Sequence, residues 1–214
     1  MHKNVKKLFL TSLLFLSLGL LVSCGTAQEV YDTEPPQLSQ LSADYYNQLG
    51  ITDEVRQNAS AVYVSCPTAD GGELQLRLPD YWEKLYDLKI ENINDKFIIT
   101  LYEHYNYERL YDGGGQLWTI NTYTYEEYTE HFDPDFMPQL PEAYSQILGA
   151  NSAIIGTDDE HIYLISLPID VRFDYKDELA TDLYHTSMQA QRKIVTDFLE
   201  INHITVNEEA PELN

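Results

Sequence analysis

The chain has 214 residues, 43% of them apolar, and carries 35 acidic against 13 basic side chains, a formal charge of −22 at pH 7. That is enough apolar material for one ordinary core, and too acidic a body for the basic patch that nucleic acid or an anionic membrane surface demands. Two cysteines, Cys24 and Cys66, rule out a densely disulfide-stapled scaffold.

Residues 1–23 read as a secretory signal, because Lys3, Lys6 and Lys7 form a positive start and residues 8–22 an apolar run too short for a comfortable membrane span. Leu21-Val22-Ser23-Cys24 resembles the lipobox of bacterial lipoproteins. The resemblance implies cleavage between Ser23 and Cys24, attachment of diacylglycerol to Cys24, and a body held by lipid on the extracytoplasmic side of the cell membrane. Two acyl chains anchor a protein at about 0.8 kcal/mol per buried methylene, where one would be marginal. Loss of the signal removes three lysines and no acid, leaving 10 basic and 35 acidic side chains and a formal charge of −25. Once Cys24 carries lipid, Cys66 has no intramolecular partner. Cys66 ends the short apolar alternation Ala61-Val62-Tyr63-Val64-Ser65-Cys66. It is expected to be a half-buried structural thiol, since a reactive one needs a cationic or His neighbour.

Residues 24–43 contain few large apolar side chains and a Pro35-Pro36 pair, the composition of a flexible tether. Residues 44–72 are expected to be a partly helical stalk, either packed onto the domain or standing off it: Asp44 caps a helix that ends at Gly50, residues 52–58 start another, and Asp70-Gly71-Gly72 makes a turn. Residues 73–204 are globular. Leu74, Leu76 and Leu78 alternate as in a half-buried strand stopped by Pro79, and Asp80 caps a helical turn over residues 81–86. Leu88, Ile90 and Ile93 form the next strand, Asn94-Asp95 the turn, and residues 97–102 a strand of β-branched and aromatic residues.

Gly113-Gly114-Gly115 leads into another strand, residues 116–125. A phosphate-cradling loop would instead lead into a helix, so the triplet is read as a hairpin connection. A helical turn over residues 126–132, a Pro-rich loop through Pro141, and strands at residues 144–155 and 161–167 joined by residues 156–160 complete the sheet. Ile169, Val171 and Phe173 extend the alternation. Asp174 then caps a long helix, with Asp177 three residues on and Leu179, Leu183, Tyr184, Met188, Ile194, Val195, Phe198 and Ile201 as its apolar stripe. Residues 205–214 are an acidic disordered tail. The order predicts an α+β domain, an antiparallel meander with the long C-terminal helix packed on one face.

Leu78-Pro79-Asp80-Tyr81-Trp82, Gly115-Gln116-Leu117-Trp118-Thr119-Ile120, Tyr144-Ser145-Gln146-Ile147-Leu148-Gly149 and Pro168-Ile169-Asp170-Val171-Arg172 resemble recurring signatures of an uncharacterised domain in secreted proteins of clostridia and their relatives, over about residues 73–204. Trp118 stands where that family usually has Phe, and the Tyr-rich insert at residues 123–141 is longer. The resemblance implies a boundary and a habitat, with no mechanism attached. The element order is also similar to the Mog1/PsbP-like sandwich, a fold of binding and accessory roles.

Motifs for chemistry are sparse. The six histidines form no close pair, no D-x-D-x-D-G loop occurs, and no G-x-S-x-G elbow occurs, so neither metal nor cofactor is expected. Of the 17 tyrosines, many cluster around the glycine triplet; with a polar rim, such residues suit recognition of protein or sugar. Tyr105, Tyr107, Tyr111, Trp118, Tyr123 and Tyr125 are therefore the candidate binding residues. The reading is a non-catalytic, lipid-anchored binding or accessory protein of the cell envelope, tied to the membrane through its N-terminal lipid and facing an envelope protein or cell-wall glycan. The alternative is a glycan-directed extracytoplasmic hydrolase whose acids meet only in the fold.

Overall fold

Capping residues and alternating apolar residues set the elements one by one. The structure, a computed structural model, describes residues 29–32, 35–68, 71–93, 96–111, 113–131 and 152–206. The signal, Cys24, the Asn94-Asp95 turn, the Pro-rich loop, residues 144–151 of an expected strand and the tail from residue 207 lie outside them. Ser39 caps α1 (Gln40–Gln48) and Thr52 caps α2 (Asp53–Gln57), each accepting from the backbone N–H three residues on. Helix α1 therefore starts earlier than the expected Asp44, and Gly50 at φ 75° ends it.

The alternation at 61–67 is a strand, β1 (Ala61–Pro67), paired antiparallel along β2 (Glu73–Pro79) with Val64 opposite Leu76 and Cys66 opposite Leu74. Of the two alternatives for residues 44–72, the described ones take the first and pack onto the domain. Tyr46, Ile51 and Cys66 lie in the main core, and Ser42 Oγ donates to Asp182 Oδ2 of the last helix. The tether expected over residues 24–43 is docked at its described part as well: Val30 bridges Ser60, and Glu29 and Asp32 pair with Arg77. A two-stranded hairpin alone would be marginal in water, and packing against the C-terminal helix supplies its second layer.

A six-stranded antiparallel sheet follows, made of β3 (Tyr86–Ile93), β4 (Lys96–Glu103), β5 (Gln116–Thr124), β6 (Ser152–Thr157), β7 (His161–Ser166) and β8 (Thr205–Val206), in the spatial order β3-β4-β5-β7-β6-β8. Strands β3 to β5 are the expected meander, and β6 enters outside β7. The short helices α3 (His104–Arg109) and α4 (Tyr125–His131) follow β4 and β5, and α5 (Glu178–Ile201) is the long C-terminal helix. The turn after β2 is a single 3-10 turn, Trp82–Lys84, without a side-chain cap. Asp80 instead accepts from the Ser60 N–H. Strand β8 claims the first two residues of the expected tail by pairing with Gly156 and Thr157.

Asp177, not Asp174, caps α5, accepting from the Leu179 and Ala180 N–H groups. Asp174 closes a separate turn by accepting from Lys176 N. The expected stripe packs inward: Leu183, Tyr184, Ile194, Val195 and Phe198 join Leu76, Leu78, Leu101, Trp118 and Ile120 in one cluster. Ile120 opposite Ile165 belongs to this side, whereas Tyr123 opposite Ile162 is three residues on and faces the other way. There Tyr123, Ile162, Leu164 and Ile154 pack under Tyr128 of α4 as a second, smaller cluster. The Ile169, Val171, Phe173 alternation is not a strand. The ladder of β7 stops at Ser166, Pro168 brings no N–H, and Ile169 is 78% exposed.

Candidate binding face

Two loops and the first turns of α5 converge at one end of the molecule. Buried Asn106 of α3 fixes them: its Nδ2 donates to Ala180 O at 2.9 Å and to Glu103 Oε2 at 2.6 Å, and its Oδ1 accepts from Asp174 N at 3.3 Å. The loop after α3 is tied to the one before α5 by Gly115 N donating to Arg172 O at 2.6 Å. Only glycine fits there. Gly115 has φ 74°, and a Cβ would lie 2.3 Å from Glu103 O.

This frame holds Tyr111 98% exposed, Tyr175 72% exposed and Val171 64% exposed on a single side. A shallow cleft of about 410 Å³ runs between Tyr111, Val171, Phe173 and Tyr175. A second, of about 450 Å³, lies between Leu41 of α1 and Glu178, Asp182 and His185 of α5, with Tyr175 again in its wall. One tyrosine thus separates two open clefts whose rim carries Arg172, Asp174, Glu178 and Asp182. Exposed aromatic area with a charged rim is the composition of a recognition surface.

The six aromatic residues expected to form a binding face do not lie together. Trp118 is wholly buried, its Nε1 donating to Gln191 Oε1 at 2.5 Å. Tyr105 is buried edge-on against Tyr45, its hydroxyl donating to Asp177 Oδ2 at 3.0 Å, with the Arg109 guanidinium 3.5 Å above its ring. Tyr123 is buried against Tyr128. These three are core residues: each fills interior volume, and Trp118 and Tyr105 also satisfy their polar tips within the fold. Tyr107 is half-exposed on Tyr102, and Tyr125 half-exposed with its hydroxyl on Asp158 O. Tyr111 alone of the six reaches the face. Tyr175 and Val171, which sequence reasoning missed, complete it. Their signal was an apolar alternation beginning at a proline, read as a strand.

Titration chemistry separates structural from reactive groups. Burial pushes the Cys66 thiol up to about 12, and its Sγ donates to Val64 O; it is fully buried rather than half-buried. Burial also raises the Glu103 carboxyl, against the pull of N–H bonds from Asn106 and Tyr105. Both its oxygens are spent capping α3, and it lines neither cleft. Asp177 is held below the ordinary carboxylate range, chiefly by the Ala180 N–H. Asp158 is held low too: burial would raise it, and bonds from the Tyr163 hydroxyl and the Glu160 and His161 N–H groups prevail. Among the described residues, one grouping offers three metal-type donors together, Asp87, His104 and Glu108. No helix among the described residues is long and apolar enough to cross a membrane. No family model, curated protein or solved structure matches the chain, so the lipobox and domain resemblances rest on their motifs alone.

Proposed function

We propose that the chain is a lipid-anchored, non-catalytic binding or accessory protein of the cell envelope, and that the Tyr111–Tyr175 face meets its partner, an envelope protein or cell-wall glycan. The observation that carries this reading is the pair of open clefts sharing one exposed tyrosine. Position supports it. Residues 29–32 dock at Arg77 beside Asp197, and the face lies around Asp182, fifteen residues earlier on α5, about 22 Å along the axis. The face and the point where residues 29–32 dock therefore lie far apart along α5. The hydrolase alternative is disfavoured because, among the described residues, the raised carboxyl, Glu103, serves as a helix cap outside both clefts.

Two measurements test the reading. Cys24→Ala is expected to alter processing and move the chain from the membrane fraction to the medium; unchanged mobility and retention count against the anchor. Cross-linking of the anchored chain in intact envelopes is expected to yield adducts that the Tyr111→Ala/Tyr175→Ala double variant loses. The same adducts from a folded double variant would remove the face from the proposal.

A further inference from the structure

Asp87 lies on β3 between Tyr86 and Leu88, which pack on the main core, so it projects from the opposite face of the sheet. Across from it on β4 is Tyr102. Two residues further, His104 opens α3, and its N–H donates to Leu85 O at 2.9 Å, pinning the first turn of the helix to the start of β3. This brings His104 Nδ1 to 2.7 Å from Asp87 Oδ2. Glu108 follows one helical turn after His104 and stands over the same side of α3. One donor atom from each of the three lies within 4.8 Å of the others, and all three side chains reach solvent.

We propose that Asp87, His104 and Glu108 form a binding site for a divalent transition-metal ion of the zinc class, with the remaining coordination positions open to water. A hydrogen bond accounts for Asp87 with His104. Glu108 brings a second carboxylate to the same imidazole, and a divalent cation would balance both. The donor set decides the class. One imidazole and two carboxylates suit zinc and its neighbours, whereas calcium takes six or more oxygens and magnesium keeps its waters. Metal–ligand bonds of about 2.0–2.2 Å place the ligands of a tetrahedral ion about 3.3 Å apart. The Asp87–His104 pair is already inside that spacing, and exposed Glu108 closes the rest by side-chain rotation. The backbone beneath is fixed, since Glu103 caps α3 and Asn106 ties it to α5.

The full chain, stripped with chelator, is titrated with zinc chloride by calorimetry. Expected is one saturable zinc site per chain that His104→Ala, Glu108→Gln and Asp87→Asn each weaken by about tenfold or more. His203→Asn, in the exposed turn after α5, is expected to leave it unchanged, and millimolar calcium is expected not to displace the ion. Glu108 is exposed, so Glu108→Gln keeps the test decisive if His104→Ala fails to fold. No saturable zinc binding, zinc binding of equal affinity in folded His104→Ala or Glu108→Gln, or displacement by calcium would overturn the proposal. None of the three residues lines either cleft, so failure of the site leaves the binding reading untouched.

Discussion

Arg77 of β2 and Asp197 of α5 meet in the interior, Nη1 3.0 Å from Oδ2, with both side chains almost fully buried. The same guanidinium reaches Asp32 Oδ1 and Val30 O, and Lys193 donates to the other oxygen of Asp197. One pair therefore joins the β1–β2 hairpin, the long helix and the chain entering from the N-terminal side. Removing one partner of a buried pair strands the other charge. Asp197→Ala is expected to cost about 3–5 kcal/mol in urea denaturation. Asp32→Ala removes a solvent-screened, exposed partner and is expected to shift the urea midpoint far less. Equal, small losses in the two variants would mean that water already solvates Arg77.

Trp118 and Gln191 make the corresponding contact between β5 and α5. The indole fills core volume and its Nε1 donates to the Gln191 side chain, whose Nε2 donates on to Ser187 O. Trp118→Phe keeps an aromatic ring but leaves a buried acceptor unpaired, which costs about 1–3 kcal/mol beyond the lost volume. Adding Gln191→Leu to that variant is expected to recover part of the loss, because no polar group is then stranded. A double variant no more stable than Trp118→Phe, by thermal unfolding, would show that the amide is satisfied elsewhere.

Much of this fold was legible because its signals are local. Leu74, Leu76 and Leu78 alternate, residues 97–102 are β-branched and aromatic, and α5 carries a long stripe. Each pattern survived into the structure. Helix α3 was not legible: His104–Arg109 is too short for a stripe, and its cap is Glu103 rather than Ser, Thr, Asn or Asp. The partner of β1 was hidden too, since 61–67 reads as a strand but names no neighbour. Tyrosine burial was the largest gap. Alternation tells which residues share a face, and only the packing of α5 and α4 tells which face is wet, so Trp118 and Tyr123 were indistinguishable from Tyr111. The Asp87, His104, Glu108 grouping left one local trace, a His and a Glu one helical turn apart, which a search for paired histidines passes over.

Cys66 provides a probe of the core. With Cys24 acylated or replaced by Ala, it is the remaining thiol, it is fully buried, and its pKa near 12 keeps it protonated at neutral pH. Thiolate is the reactive form. Ellman's reagent is expected to label it only at the rate at which the β1–β2 hairpin opens, and promptly in urea. Rapid labelling in native buffer would show that β1 leaves the core far more readily than its pairing with β2 implies.

Asp158 sets an acid limit on the β6–β7 turn. Its Oδ1 accepts from Glu160 N and His161 N at 2.8 and 2.6 Å, and its Oδ2 from the Tyr163 hydroxyl at 2.6 Å. These bonds favour the charged form and hold the folded pKa below the ordinary aspartate range. As pH falls, the unfolded chain takes up the proton first, at about 3.9. The stabilisation is therefore complete above that value and drains away as pH drops through the lower folded pKa. Asp158→Asn keeps one acceptor oxygen but cannot carry the charge. It is expected to unfold at a lower temperature than the parent chain at pH 7, with the gap narrowing below about pH 4. A gap of the same size at pH 7 and pH 3 would assign the loss to turn geometry, with no part for the charge.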